Sequence, residues 1–257
     1  MRKKRKKNKL KILFFALVVF LDNQRILFIV SFHTLRYYSI MKIYLASGNK
    51  HKKKEMSELF PEHTIVIPSD ENIEFDPEET GTTFYENSII KAKALYDIVH
   101  CPVIADDSGI CVDGLNSAPG IYSSRYAGPD FMQGKPDGSK ISQEEQNLFL
   151  IQQLNDAIKN NFLPKSEYKN GPRSCHYTCA MVFYAGFDRI FVAQETMEGV
   201  LIDSIEKAAG DGGFGYDPIV FLPEYNKTIA QITAEEKNKI SHRGKAVRAI
   251  KKIIENF

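Results

Sequence analysis

Two acidic side chains stand side by side in Ala105-Asp106-Asp107-Ser108-Gly109, directly after the apolar stretch Pro102-Val103-Ile104-Ala105. Like charges this close repel, so a pair that stays ionised needs a cation, a metal ion or a shared proton beside it. The apolar stretch reads as a short buried strand, and Ser-Gly as the turn that ends it. Both acids then sit at a strand end, where open α/β sheets receive their ligands. A plain surface turn is the alternative for the same residues. A second stretch has the opposite sign. Ser47-Gly48-Asn49-Lys50 turns into a helix whose start carries Lys50, Lys52, Lys53 and Lys54. Lysines at a helix N-terminus oppose the macrodipole, and a bound anion would relieve that conflict. The alternative is a solvated lysine cluster.

The elements that must position these groups follow from periodicity. Residues 42–46 read as the strand feeding the lysine-rich helix, which reaches Phe60 with Met56, Leu59 and Phe60 as its apolar side. Residues 64–67 form a second strand, and Pro77-Glu78-Glu79-Thr80-Gly81 an acidic loop. A helix over 84–100 offers Ile89, Ile90, Leu95 and Ile98 to the core, and one over 141–158 offers Leu148, Ile151 and Leu154. Residues 176–185 and 189–196 are β-rich on either side of Phe187-Asp188, an antiparallel hairpin. Glycine-rich 211–216 precedes a short strand at 219–221. Ser241-His242-Arg243 precedes a last helix with Ala246, Ile250, Ile253 and Ile254 at helical spacing.

A chain of 257 residues, 43% hydrophobic, can bury a real core in one large or two small domains. Its net charge of +2 hides an asymmetry. Residues 1–40 hold ten Lys or Arg and one Asp, a net of +9, while the remaining 217 hold 24 basic and 31 acidic residues, a net of −7. The mildly acidic body argues against a broad nucleic-acid surface, though not against a focused basic pocket. Residues 1–11 are almost solid Lys and Arg, and apolar runs follow at 12–21 and 26–32. The first run is too short to span a bilayer as a helix, and joining the two would bury Asp22 and Arg25. Three readings stand: a membrane anchor, a cleaved signal, or sequence upstream of a true start at Met41. The expected division is an N-terminal extension, 1–40, and a functional domain, 41–257. Among four cysteines, Cys175-x-x-x-Cys179 lacks a second ligand pair nearby and reads as buried thiols in a reducing compartment, not as zinc ligands.

Four stretches carry a resemblance. They are Ser47-Gly48-Asn49-Lys50-His51-Lys52; Ala105 to Gly109 with Ala118-Pro119-Gly120; Gly213-Phe214-Gly215-Tyr216-Asp217-Pro218; and Lys237-Asn238-Lys239-Ile240-Ser241-His242-Arg243. In order and spacing, from Met41 to the C-terminus, the chain resembles the inosine triphosphate pyrophosphatase family, the XTP/dITP diphosphatases. The resemblance implies an α/β fold, with an elongated mixed β-sheet and flanking helices in two lobes around a substrate groove. It implies a cytoplasmic homodimer that hydrolyses ITP, dITP and XTP to the monophosphate and pyrophosphate with Mg²⁺. Membrane association would come only through residues 1–40. Two other functions compete: a broader or modified-pyrimidine nucleotide pyrophosphatase, and a non-catalytic nucleotide-binding protein tethered by its N-terminus.

The same resemblance assigns roles. Asp107 is the general base and a metal ligand, with Glu78 as the second ligand and neighbouring Glu79 leaving the register open. Asp106 supports Asp107, and Ser108 donates to a phosphate. Ser47, Gly48, Asn49, Lys50, His51 and Lys52 form the phosphate-binding stretch, with Lys52 the triphosphate ligand. Phe214 stacks on the base, Gly215, Tyr216 and Asp217 complete the pocket, and Lys237 binds phosphate or base. Arg243, or a backbone N–H near His242, would donate to the purine O6 and reject adenine, because a buried donor left unpaired costs about 1–3 kcal/mol. His176 stands at a position often apolar in the family, and Asn116-Ser117 replaces glycines usual there.

Overall fold

The strand that carries the two acids, β5 (Val103–Val112), lies inside the sheet with a strand on either side. The computed structural model describes residues 14–21, 24–31, 41–164 and 171–255. The chain divides into two compact units, residues 1–39 and 40–257. In the first, β1 (Phe14–Leu21) pairs antiparallel with β2 (Gln24–Ser31), Leu21 opposite Gln24. The basic run at 1–11, on which the anchor and signal readings rest, lies outside the described residues. No helix among the described residues is long and apolar enough to cross a membrane.

The second unit contains β3 (Lys42–Leu45), α1 (Lys50–Leu59), β4 (Thr64–Val66), α2 (Phe84–Val99), β5, β6 (Ala118–Pro119), α3 (Gln143–Lys159), β7 (Ser174–Tyr184), β8 (Ile190–Leu201), β9 (Val220–Leu222), β10 (Lys227–Thr228), α4 (Ala234–Ile240) and α5 (His242–Ile254). Its mixed sheet runs β10-β9-β8-β7-β5-β3-β4, with β6 beside β5. β3 is parallel to β4 and β5, while β5, β7, β8 and β9 are antiparallel.

Side chains alternate along β5. Ile104 packs with Met56 of α1 and Val247 of α5, and Ala105 packs on the opposite face with Ala92 and Leu95 of α2. Further along, Ile110 packs with Leu150 and Leu154 of α3 in a separate core. Asp106 to Gly109 is the polar interval between those cores. This is the groove between lobes that the family resemblance implies, and its cause is local: charged and small residues interrupt an otherwise apolar strand.

Ser108-Gly109 is not a turn. β5 continues to Val112, opposite Cys175 of β7, whereas its parallel neighbour β3 stops at Leu45, opposite Ile104. The acids stand in the middle of their own strand, just past the C-terminal end of the next one. Long antiparallel pairing to β7 holds the backbone extended where turn-forming residues alone favoured a bend.

The apolar face expected of α2 is also different. Its buried residues are Phe84, Asn87, Ser88, Lys91, Ala92 and Leu95, a regular i, i+3, i+4, i+7 stripe, while Ile98 is 51% exposed. In α3, Leu150 is buried with Ile151 and Leu154, and Leu148 is half-buried. The hairpin between β7 and β8 forms as read, with Phe187 and Asp188 at φ 49° and 62°. Asn116 and Ser117 also adopt positive φ, 55° and 64°, a region glycine enters without steric cost. All four cysteines are free, and burial pushes the thiols of Cys175 and Cys179 upward.

Candidate active site

The helix start built from lysines is capped from within. The Asn49 side chain accepts from the backbone N–H groups of His51 and Lys52 at 2.8 and 3.2 Å, and the Asn49 N–H donates to Ser47 Oγ at 3.1 Å. Part of the expected anion-binding backbone is therefore already satisfied. Gly48 remains open, with nothing within 4 Å of the place a Cβ would take. The four lysines part company. Lys53 pairs with Asp70 at 2.7 Å, Lys50 and Lys54 are exposed, and Lys52 reaches inward to Asp106 at 3.1 Å.

Asp106 is 1% exposed and held between cations. Its Oδ2 meets Lys52 and also accepts from Nε and Nη2 of Arg243 at 3.2 and 3.1 Å. Burial opposes the charge, but Lys52, Arg243 and more distant Lys91 outweigh it and hold the carboxyl well below its ordinary value. Arg243 also donates to Glu55 of α1 and to Ser108 Oγ. Ser241 caps α5 by accepting from the Gly244 N–H, as an N-cap should, but the first turn behind it is buried, not solvated. An arginine set at that point reaches back to β5. Its guanidinium borders the cavity, yet its donors are largely committed to Asp106, Glu55 and Ser108.

On the other face of β5, Asp107 meets α2. Lys91 Nζ lies 2.9 Å from Asp107 Oδ1 and 3.2 Å from Glu79 Oε1. Burial pushes the Asp107 carboxyl upward, and Lys91 pulls it only part of the way back. Burial also opposes the charge of Lys91, but Asp107 and Glu79 raise its pKa overall. Asn87 ties the acidic loop to this point: its Oδ1 accepts from the Gly81 N–H at 2.8 Å and its Nδ2 donates to Asp107 Oδ2 at 3.4 Å. Thr83 and Glu86 close a capping box at the start of α2 and fix the loop's exit. Glu79 lines the cavity, whereas Glu78 is exposed and does not. Of the two candidate acids it is thus Glu79 that faces the cavity and Lys91, because alternation along an extended loop turns only one of two neighbours inward.

The third wall is the glycine-rich loop. Asp217 Oδ2 accepts from the Phe214 N–H at 2.9 Å and from Lys237 Nζ at 2.7 Å. Gly213 has φ +73°, and a Cβ there would lie 2.0 Å from Asp217 Oδ2, so this close turn needs glycine. Lys237 Nζ and the Arg243 guanidinium sit 4.9 and 5.6 Å from the Phe214 ring centre. His51, exposed and outside the cavity wall, stacks on the same ring at 6.1 Å. His242 is buried and stacks on Tyr177 at 4.9 Å, and burial with Arg243 and Lys237 beside it keeps its pKa well below the ordinary value. Tyr216 donates its hydroxyl to Ser123 O at 2.8 Å.

Together these walls enclose about 400 Å³, the size of a small-ligand site. Ser47, Gly48, Asn49, Lys52, Asp107, Ser108, Phe214, Gly215, Tyr216, Asp217, Lys237, His242 and Arg243 all line it, while Lys50, His51 and Glu78 do not. Lys91, Glu55, Asn87 and Tyr177 were given no site role from the sequence. The stripe that buries Leu95 also buries Lys91 and Asn87, so polar residues on a core-facing helical stripe were the missed signal.

Gly109 keeps the floor of the cavity thin. A Cβ there would lie 2.3 Å from Ser123 Oγ and 2.4 Å from the Gly120 carbonyl oxygen. Gly109→Ala is expected to destabilise the protein by roughly 1–3 kcal/mol, the scale of core overpacking. An unchanged thermal midpoint in that variant would show that the Gly120–Ser123 loop simply yields.

A family model described as the Ham1 family matches residues 43–253. The dITP/XTP pyrophosphatase of Treponema denticola is 50% identical over 214 residues, covering 83% of this chain and 98% of that protein. That of Aquifex aeolicus is 38% identical, covering 84% of this chain and 98% of that protein. Among solved structures, a HAM1 protein from Coxiella burnetii matches with a TM-score of 0.69 at 32% identity, over 85% of this chain and 100% of its own. The Staphylococcus aureus Ham1 protein matches at 0.66 and 33% identity, over 84% of this chain and 98% of its own. A match over most of the body, in sequence and in fold, means that the chain belongs to the Ham1 family.

Proposed function

We propose that the chain hydrolyses non-standard purine nucleoside triphosphates, ITP, dITP and XTP, to the monophosphate and pyrophosphate, and so clears deaminated purines from the nucleotide pool. One observation carries the reading: a single cavity holds two carboxylates converging on one point, Asp107 and Glu79, and an aromatic ring flanked by cations, Phe214 with Lys237. The first arrangement suits a triphosphate and the second a purine. The names of the relatives above support the substrate class. By resemblance the functional domain is residues 41–257, and it works as a cytoplasmic homodimer.

Triphosphate hydrolysis needs charge neutralisation and an oriented water more than covalent chemistry. Asp107 and Glu79 fit Mg²⁺, which takes oxygen ligands and is held by one or two carboxylates plus substrate phosphates. Both carboxylates already reach one cation, Lys91, so their oxygens converge closely enough. The ion, when bound, would neutralise phosphate charge. Asp107, made more basic by burial, orients and deprotonates the attacking water. Lys91 holds that carboxylate in place, and Lys52 and the open backbone at Gly48 receive phosphate oxygens. The purine stacks on Phe214. Lys237, fixed by Asp217 near that ring, offers N–H to the O6 acceptor of hypoxanthine or xanthine. The amino group of adenine would set donor against donor. This reading moves the O6 contact from Arg243, whose donors hold the site together, to Lys237.

The test is a substrate panel with pyrophosphate release as readout. ITP, dITP and XTP should turn over with Mg²⁺ and stop with excess chelator, while ATP lags by at least about tenfold, one well-placed hydrogen bond's worth. Equal turnover of ATP, GTP and ITP would sink the purine-editing claim.

A further inference from the structure

The cations around the cavity differ in how they are compensated. Lys52 pairs with Asp106, Lys91 with Asp107 and Glu79, Lys237 with Asp217, and Arg243 with Asp106 and Glu55. The fifth cation on the wall is Arg125. Among the described residues no carboxylate lies within salt-bridge distance of it, and its guanidinium makes no hydrogen bond to a described acceptor. Among the described residues its one directed side-chain contact is with the Tyr122 ring, 5.3 Å from the guanidinium carbon to the ring centre. A cation beside a π-face is held electrostatically without using an acceptor atom, so the planar N–H fork stays available.

The backbone beneath Arg125 is fixed from three sides. Ser123 Oγ accepts from the Ile110 N–H of β5 at 2.9 Å, and Ser123 O accepts from the Tyr216 hydroxyl at 2.8 Å. Ser124 O accepts from Gln146 of α3 at 3.4 Å. Tyr126, the next residue after Arg125, is fully buried. The chain thus holds a guanidinium that no described acid compensates on the wall of the groove, on a segment joined both to the acid-bearing strand and to the Phe214 loop. A rigid base under a free cation is the arrangement that binds an anion with little ordering cost.

The geometry points to Arg125 as a phosphate-binding residue of this site, its guanidinium fork taking oxygens of the substrate's phosphate chain. The inference rests on the triphosphate reading for its substrate, but it can be measured apart from it. The other cations enter the complex already shared with protein carboxylates. Arg125 alone among the described wall cations adds positive charge that no described protein acid has claimed. A triphosphate carrying about four negative charges draws on that excess, and the planar fork matches phosphate geometry where an ammonium would act only as a point charge.

The experiment compares the wild type with Arg125→Gln and Arg125→Lys, each first checked for an unchanged thermal midpoint. Two quantities are measured: steady-state ITP hydrolysis, and equilibrium binding of inorganic tripolyphosphate, which has no base or sugar. In Arg125→Gln, KM for ITP and Kd for tripolyphosphate should both rise roughly 10- to 100-fold, the worth of a charge-assisted hydrogen-bond pair, with kcat changed far less. Arg125→Lys should recover part of both. A folded Gln variant with wild-type tripolyphosphate affinity overturns the assignment, including the case where only KM for ITP moves, which would place Arg125 at the base or sugar. Absence of ITP turnover by the wild type would instead count against the functional reading, and the tripolyphosphate titration would still decide the role of Arg125.

Discussion

Asp107→Asn is expected to lower kcat for ITP by at least about 10²-fold while leaving the fold intact, the scale of a lost general base. The substitution keeps the size of the side chain and its place on β5, and the amide oxygen can still accept from Lys91, which lies 2.9 Å from Asp107 Oδ1. It removes the two things the carboxylate alone supplies: a basic oxygen for the proton of the attacking water and the negative charge that would hold the metal ion. Asp107 lies on the α2 face of β5, where Lys91 is the cation it meets, and burial raises its pKa. Both features suit a base, since a carboxylate pushed upward binds a proton more readily. Circular dichroism and a thermal midpoint near the wild-type value would separate lost chemistry from lost structure. Near-normal turnover in a folded Asp107→Asn protein would refute the role.

The neighbouring position should fail in a different way. Asp106→Asn is expected to cost about 3–5 kcal/mol of stability, the usual result of removing one partner from a buried ion pair. The Asp106 carboxylate compensates Lys52 and Arg243, and Arg243 is itself buried. An amide leaves those cations facing one another with too little negative charge between them. The sign with pH follows from linkage. The folded-state pKa of Asp106 is depressed, so its stabilising contribution is present above the unfolded carboxylate value of about 4 and is lost as pH falls through the folded value. The gap between wild type and Asp106→Asn should therefore be full at neutral pH and narrow in acid. Thermal or urea midpoints measured from neutral pH downward would show it. A variant as stable as the wild type at pH 7 would mean that Glu55 alone compensates Arg243. The two adjacent acids thus separate by readout: Asp107 by turnover, Asp106 by stability.

Much of this division was readable in advance, and the parts that were not share a cause. The helix start at Lys50, the hairpin joining β7 to β8 and the start of α5 just after Ser241 depend on neighbours within a few residues, and they formed close to where their sequence placed them. The end of β5 depended instead on β7, some 70 residues later, whose pairing carries the strand through Ser108-Gly109. The buried face of α2 depended on what it packs against. Ile89 packs at the edge of the core. Ile90 and Ile98 looked like core by residue type, yet the helix turns Asn87, Ser88 and Lys91 inward because β5 presents an acid and a carbonyl there. Ser88 Oγ donates to Ala105 O at 3.0 Å, as Lys91 does to Asp107. The choice of Glu79 over Glu78 required the position of Lys91, and so could not be made from the loop alone.

Local sequence determined which chemistry the chain could hold: paired acids, a lysine-rich helix start, a glycine-framed aromatic and a Ser-His-Arg helix entry, in an order that already resembled its family. Tertiary structure alone decided which partner each charge would take. Alternation on β5 sends Asp106 to Arg243, 137 residues away, and Asp107 to Lys91, 16 residues back on α2. The physical reason is that compensation of a buried charge acts over a few ångströms of space and is indifferent to distance along the chain. Residue types and spacing announce that a charge must be paired, but only the packing of β5 between α2 and α5 says by what.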